Sequence, residues 1–253
     1  MMTFPSAKRF ALAYFLLSLI FTAAVLVLCL FGRLGFSYLE ADTAAAETDQ
    51  KSHRYCIVLD AGHGGEDGGA VGADGYLEKE ANLRITEMLR DQLDLAGIPY
   101  RMTRSDDRML YDPQSDYRGH KKMLDLRARL DAAESASHNI LISLHQNAFP
   151  EQKYSGLQVY YGKQNPQSAA LAEIIQEAVR TTLQPDNQRK IKAADSNIYL
   201  LHRCSRPAVL VECGFLSNPA ECAKLRDPVY LGELSTVIFT AICDFLAQQA
   251  DST

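Results

Sequence analysis

The chain has 253 residues, 47% of them apolar and 23% charged, enough to build one well-buried domain. Its net charge of −5 argues against nucleic acid as a partner, since phosphate neutralisation needs clustered Lys and Arg, but it leaves an uncharged sugar–peptide substrate open. Six cysteines without a CxxC spacing exclude a dithiol redox motif and a cysteine metal cage, and they read as free, mostly buried thiols.

The first element in chain order belongs in a bilayer. Residues 10–32 (FALAYFLLSLIFTAAVLVLCLFG) form an unbroken run of apolar or small residues. A helix needs roughly 20 of these to cross the hydrocarbon core. Lys8 and Arg9 precede the run, which places residues 1–9 in the cytoplasm by the positive-inside rule. A cleaved signal peptide is the competing reading. Its apolar core is shorter, about 7–15 residues, so an uncleaved anchor is preferred. In both cases the remainder is exported. Residues 33–53 are polar, Ala-rich and without a persistent apolar period; they read as a tether. Residues 54–249 form the expected catalytic domain.

Short apolar runs there alternate with amphipathic ones, the pattern of an α/β fold: a twisted, mainly parallel sheet with helices on both faces. Tyr55 to Asp60 predicts a buried strand. Glu80 to Ala96 repeats apolar residues at helical spacing and stops at Gly97. Tyr100 to Thr103 predicts a short strand, Leu124 to Ala136 a helix, and Asn139 to Leu144 and Leu157 to Tyr161 two strands. Ser168 to Leu183 carries an apolar helical stripe. Ile198 to Leu201 and Ala208 to Val211 predict strands, and Val229 to Leu246 a closing helix.

Three of these strand-like runs lead into polar groups: Asp60-Ala61-Gly62-His63, Ser143-Leu144-His145, and Glu212-Cys213-Gly214. In parallel sheets ligands bind beyond the carboxyl ends of the strands, so the three groups should meet there. Glu78 follows a loop holding Gly64, Gly65, Gly68, Gly69, Gly72 and Gly75, which can fold back towards His63. Two imidazoles and a carboxylate with an open fourth position make a catalytic zinc site. A carboxylate outside that set then serves as proton acceptor and donor. His63, Glu78 and His145 are the expected Zn2+ ligands and Glu212 the expected catalytic base, on a strand too apolar to carry an idle acid. Each has a plainer explanation: a turn cap, a core hydrogen bond, or an acid in the first turn of a helix. Their joint occurrence at strand ends carries the assignment. Asp60 is expected to brace a loop histidine, although turn formation explains it equally well. Arg104 and Arg127 are expected to pair with acids of the fold.

The runs IVLDAGHGGEDGGAVGADGYLEKEANL, ISLHQNA and AVLVECGFLSNPAE together resemble the zinc-dependent N-acetylmuramoyl-L-alanine amidases of type 3. The similarity extends over about Tyr55 to Leu246. It implies zinc held by His63, Glu78 and His145, catalysis by Glu212, and cleavage of the amide joining N-acetylmuramic acid to L-alanine in peptidoglycan. The segment NIYLLHRCSRPAVLVECGFLSNP and the single anchor resemble the germination-specific, CwlD-type amidases of spore formers, which implies a role in cortex maturation towards muramic δ-lactam. The Phe149–Ser155 and Arg104–His120 connections are expected to leave the groove uncovered, with control left to expression, location or an accessory protein that the sequence does not name. The alternatives are a deacetylase or peptidase acting on wall polymers, and a non-catalytic wall-binding module.

Overall fold

The computed structural model describes residues 55–72, 74–112, 114 and 119–251. The expected anchor and tether lie outside the described residues. Six strands, β1 (Cys56–Ala61), β2 (Tyr100–Met102), β3 (Asn139–Asn147), β4 (Gln158–Tyr161), β5 (Lys192–Ala193) and β6 (Ala208–Phe215), form one sheet in the order β2-β1-β3-β6-β4-β5. Every neighbouring pair is parallel except β4 with β6, so the sheet is mixed with one antiparallel junction.

The central strands are buried on both faces, and their residues alternate between two cores as a pleat requires. Ile57, Leu59, Ile140, Ile142, Val209 and Val211 join one core. Helices α1 (Glu78–Leu95), α3 (Gln167–Thr182) and α6 (Pro228–Asp251) lie on that side. Val58, Leu141, Ala208 and Leu210 join the other core, with α2 (Lys121–Glu134) and α4 (Tyr199–Arg203). By the same alternation Asp60, Ser143, His145 and Glu212 all point to the α2 side.

Helix α6 is long and apolar enough to cross a membrane by length and composition. Its Leu231, Leu234, Ile238, Ala241, Ile242 and Phe245 are instead buried in the core with α1 and α3, so it is the closing core helix that the sequence predicts.

β3 and β6 run on past the expected ends at Leu144 and Val211 to Asn147 and Phe215, and three further elements depart from expectation. Ile198 to Leu201, read as a strand, lies at the start of helix α4; four apolar residues in a row carry no period, and length alone cannot separate the two states. Strand β5 has only two residues, too few to show alternation. Helix α5 (Pro219–Arg226) buries only Cys222 and Leu225 and has no apolar stripe to reveal it. It does carry a start signal: the Asn218 side chain accepts from the amides of Ala220 and Glu221, and Pro219 opens the first turn.

Candidate metal centre

The site lies at the carboxyl-terminal edge of the sheet: His63 comes two residues after the end of β1, while His145 and Glu212 sit within the closing residues of β3 and β6 rather than beyond them. His63 follows β1 in a left-handed conformation (φ 61°), unfavourable for a side chain with a Cβ. Two buried arginines hold it there by gripping three successive carbonyls. Arg129 donates to Ala61 O and His63 O, each at 2.7 Å. Arg104 donates to Ala61 O at 2.9 Å and Gly62 O at 3.0 Å. Arg104 therefore serves backbone carbonyls rather than an acid, contrary to expectation. Asp60 also departs from its expected role. It touches no histidine; its oxygens accept from Thr103 (2.7 Å), Arg129 (2.6 Å) and Ser143 (2.6 Å). The acid beside the loop histidine is Asp67, with Oδ2 2.9 Å from His63 Nδ1.

The glycine loop returns the chain to Glu78, the first residue of α1. Gly69 sits at φ 68°, and a Cβ on it would come within 2.5 Å of Glu78 Oε2 and 2.8 Å of His63 Cδ2. The loop closes tightly because no side chain stands between these two residues. Glu78 is buried and well held: Oε2 accepts from Ala70 N (2.8 Å), and Oε1 accepts from Gln146 N (3.1 Å) and Asn82 Nδ2 (3.3 Å). On β3, the His145 ring lies against Gly62, where a Cβ would meet it at 2.3 Å.

His63 Nε2 and His145 Nδ1 face the same Glu78 Oε1, at 3.2 and 2.9 Å. The rings stand edge to face, with centroids 5.0 Å apart. One ligand atom from each residue falls within 4.8 Å of the others, a group that could hold a metal ion. Burial would raise the Glu78 carboxyl, but its contacts with His145 and His63 bring it well below the ordinary carboxylate range. His63 moves the other way: burial disfavours its charge, but Glu78 and Asp67 hold its imidazolium above the ordinary value. Nitrogens of two imidazoles and one carboxylate oxygen are the donor set of a catalytic zinc site, and both rings retain some exposure.

Glu212 pairs in register with His145 across β3 and β6. The residue is partly exposed, yet its Oε2 is buried and has no hydrogen-bond partner among the described residues. Burial pushes its carboxyl up, His145 pulls it back, the charge of Glu78 adds to the rise and His63 opposes; the balance stands at about 7. A carboxyl in that range is suited both to take and to give a proton near neutrality. The structure thus brings together all four residues singled out from the sequence. It does not bring His120, His138 or His202 into the group, and His53 lies outside the described residues. Sequence reasoning missed Asp67 and Arg129.

Among the described residues, neither the Phe149–Ser155 nor the Arg104–His120 connection contains a helix. A pocket of about 210 Å³, lined by His63, His145, Asp67, Lys122, Asn197 and Tyr199 among others, opens on the α2 side.

Residues 57–244 match the family described as N-acetylmuramoyl-L-alanine amidase. The chain belongs to this amidase family. It is 36% identical over 195 residues to the germination-specific N-acetylmuramoyl-L-alanine amidase of Bacillus subtilis (strain 168), covering 77% of this chain and 81% of that one. Among solved structures, this amidase is similar to the CwlD amidase from Clostridioides difficile in complex with the GerS lipoprotein. That match has a TM-score of 0.72 and 38% identity, over 76% of this chain and 98% of the other. It is also similar to AmiC2 of Nostoc punctiforme, with a TM-score of 0.65 and 26% identity over 77% and 98% of the two chains.

The layer beneath the amidase site sets a pH dependence of stability. Burial would raise the Asp60 carboxyl, but Arg129, with the hydroxyls of Ser143 and Thr103, overcomes this and holds it at about 2, against an ordinary value of 3.8. A depressed carboxylate stabilises the fold fully above its unfolded value and loses that contribution as pH falls through the folded one. The shift corresponds to about 2 kcal/mol. Urea unfolding should therefore show stability dropping between about pH 4 and pH 2, and Asp60→Asn should flatten that part of the curve. The same acid slope in both proteins would mean that Asp60 is not its source.

Proposed function

We propose that this chain is a zinc-dependent amidase, anchored by residues 10–32 on the outer side of the cell membrane, with residues 33–53 as tether and 54–249 as catalytic domain. It hydrolyses the amide between the lactyl group of N-acetylmuramic acid and L-alanine. The observation that carries this reading is the convergence of His63 Nε2 and His145 Nδ1 on Glu78 Oε1, with the buried, unpartnered Glu212 Oε2 on the adjacent strand. Likeness to the germination-specific amidase of Bacillus subtilis supports a role in spore-cortex maturation. Likeness to an amidase solved in complex with a lipoprotein supports an accessory protein as partner.

His63, Glu78 and His145 would hold the ion. Zinc there supplies Lewis acidity, polarising the scissile carbonyl and lowering the pKa of water. The protein's own residues do the rest. Asp67 orients the His63 ring from its far nitrogen, and the Gln146 and Ala70 amides fix the Glu78 carboxylate. Glu212 takes the proton of the attacking water and returns it to the departing L-alanine nitrogen, which leaves as a neutral amine. Burial holds its pKa near that of a group able to do both.

Mass spectrometry of muropeptides after digestion, with and without chelator, tests the reaction. The expected products are lactyl-terminated glycan and stem peptide with a free L-alanine amino group, both absent after chelation. Released acetate would identify a deacetylase instead, and cleavage within the stem a peptidase.

A further inference from the structure

The amidase reaction leaves one strongly ordered cation unused. Arg189 lies between α3 and β5, on the far side of Glu212 from the metal ligands. Its Nε donates to Ser155 O at 2.8 Å and its Nη1 to Gln158 Oε1 at 3.2 Å. Its guanidinium lies over the ring of buried Phe215 at 4.4 Å, with Tyr154 further out at 6.0 Å. Gln158 is itself held, donating to Lys190 O at 2.9 Å. The backbone amide of Arg189 is tied to Asn187 Oδ1 at 3.0 Å. The side chain is thus hydrogen-bonded through Nε and Nη1 and lies over the Phe215 ring.

Among the described residues no carboxylate forms an ion pair with Arg189. Two of its five N–H groups are engaged in these bonds, and Nη2 has no acceptor among the described residues. Of the two acids lining the same cleft, Glu221 is consumed by the amides of Gly156 and Phe215, and Asp186 forms no ion pair with Arg189. The cleft, about 690 Å³, also carries Lys153 and Lys224. A planar fork with free N–H groups, held against an aromatic face beside further cations, is shaped for a carboxylate.

Its position says which carboxylate. Gln158 stands directly opposite Glu212 in the antiparallel β4–β6 ladder, so their side chains share a face, on strands about 4.8 Å apart. Arg189 hydrogen-bonds the Gln158 side chain, so its guanidinium lies on the face of the sheet that carries Glu212. In peptidoglycan the residue after L-alanine is a D-glutamate joined through its side-chain carboxyl, which leaves its α-carboxylate free. Standard bond lengths put that carboxylate about 6 Å from the scissile nitrogen. We infer that Arg189 binds the free α-carboxylate of the second stem residue and so registers the stem peptide for cleavage. The inference rests on the amidase reading and adds to it a specificity-determining residue.

The test uses two muramoyl-peptide substrates that differ only at that group, one with the α-carboxylate and one with the carboxamide. Wild-type enzyme should cleave the carboxylate form with kcat/KM about tenfold or more above the amide form, mainly through KM. Arg189→Met should lose that advantage on the carboxylate form and leave the amide form unchanged. Arg189→Lys, which keeps the charge without the fork, should recover part of it. Equal losses on both substrates would make Arg189 a structural residue and overturn the inference. An active wild-type enzyme indifferent to the carboxylate would overturn it alone, with no variant needed. A wild-type enzyme that exposes the L-alanine amino group of neither substrate would remove the amidase reading, and this inference with it.

Discussion

Glu212→Ala should lose at least about a thousandfold in turnover of peptidoglycan while keeping its metal. General acid–base assistance is worth about 10²–10⁴-fold, and here one carboxyl serves both the attacking water and the departing amine. The metal is retained because Glu212 lies outside the His63, Glu78 and His145 group. Its Oε2 contacts no donor among the described residues, so truncation removes no hydrogen bond at that atom. Glu212→Gln sharpens the comparison. It keeps the shape, cannot take the proton, and removes a charge that burial disfavours, so its metal-free form should melt no lower than wild type. Metal content per chain, measured alongside single-turnover digestion, reads both parts of the prediction. Retained turnover in either variant would take Glu212 out of the mechanism.

Glu212 is legible in the amino-acid sequence, and the reason is physical. β1, β3 and β6 are covered on both faces, so their sequences are nearly continuous apolar runs, and a polar residue ending such a run stands out. His145 and Glu212 stand out this way, and His63 lies two residues past the end of β1. Glu78 is reachable only through the glycines that precede it, since an acid opening a helix is ordinary. What the sequence hides are contacts between distant residues. Asp60 shares a face with His145 but pairs in register with Ser143, one layer deeper, so it meets Arg129 and Thr103 instead of a ring. Arg129 comes from the middle of α2 and reaches the carbonyl of His63, 66 residues away in sequence; no local pattern marks it. Asp67 lies four residues after His63 in a loop without period, where the left-handed turn at His63 and the paired backbone hydrogen bonds between Gly64 and Asp67 bring the two together. Strand ends announce themselves; loop closures do not.

His145→Ala should fail in the opposite way to Glu212→Ala, losing the metal first and activity as a consequence. The three candidate ligands face one another across 2.9 and 3.2 Å contacts centred on Glu78 Oε1, and removing the His145 ring leaves one imidazole and one carboxylate. Catalytic zinc sites use three protein ligands, so the remaining pair should bind the ion at least about a hundredfold more weakly. The fold should tolerate the change. The His145 side chain is 20% exposed, near the end of β3, and its loss opens space towards Gly62 rather than in either apolar core. A competitive chelator titration, with a thermal melt of the metal-free protein, separates the effects: affinity should collapse while the metal-free melting temperature moves by a few degrees at most. Stoichiometric zinc in purified His145→Ala would mean that the ion is held elsewhere, and the assignment of all three ligands would fall with it. If His145→Ala loses metal while Glu212→Ala keeps it, the two strand-end groups divide the work, one holding the ion and the other moving the proton. Their register on adjacent strands sets them side by side for that division.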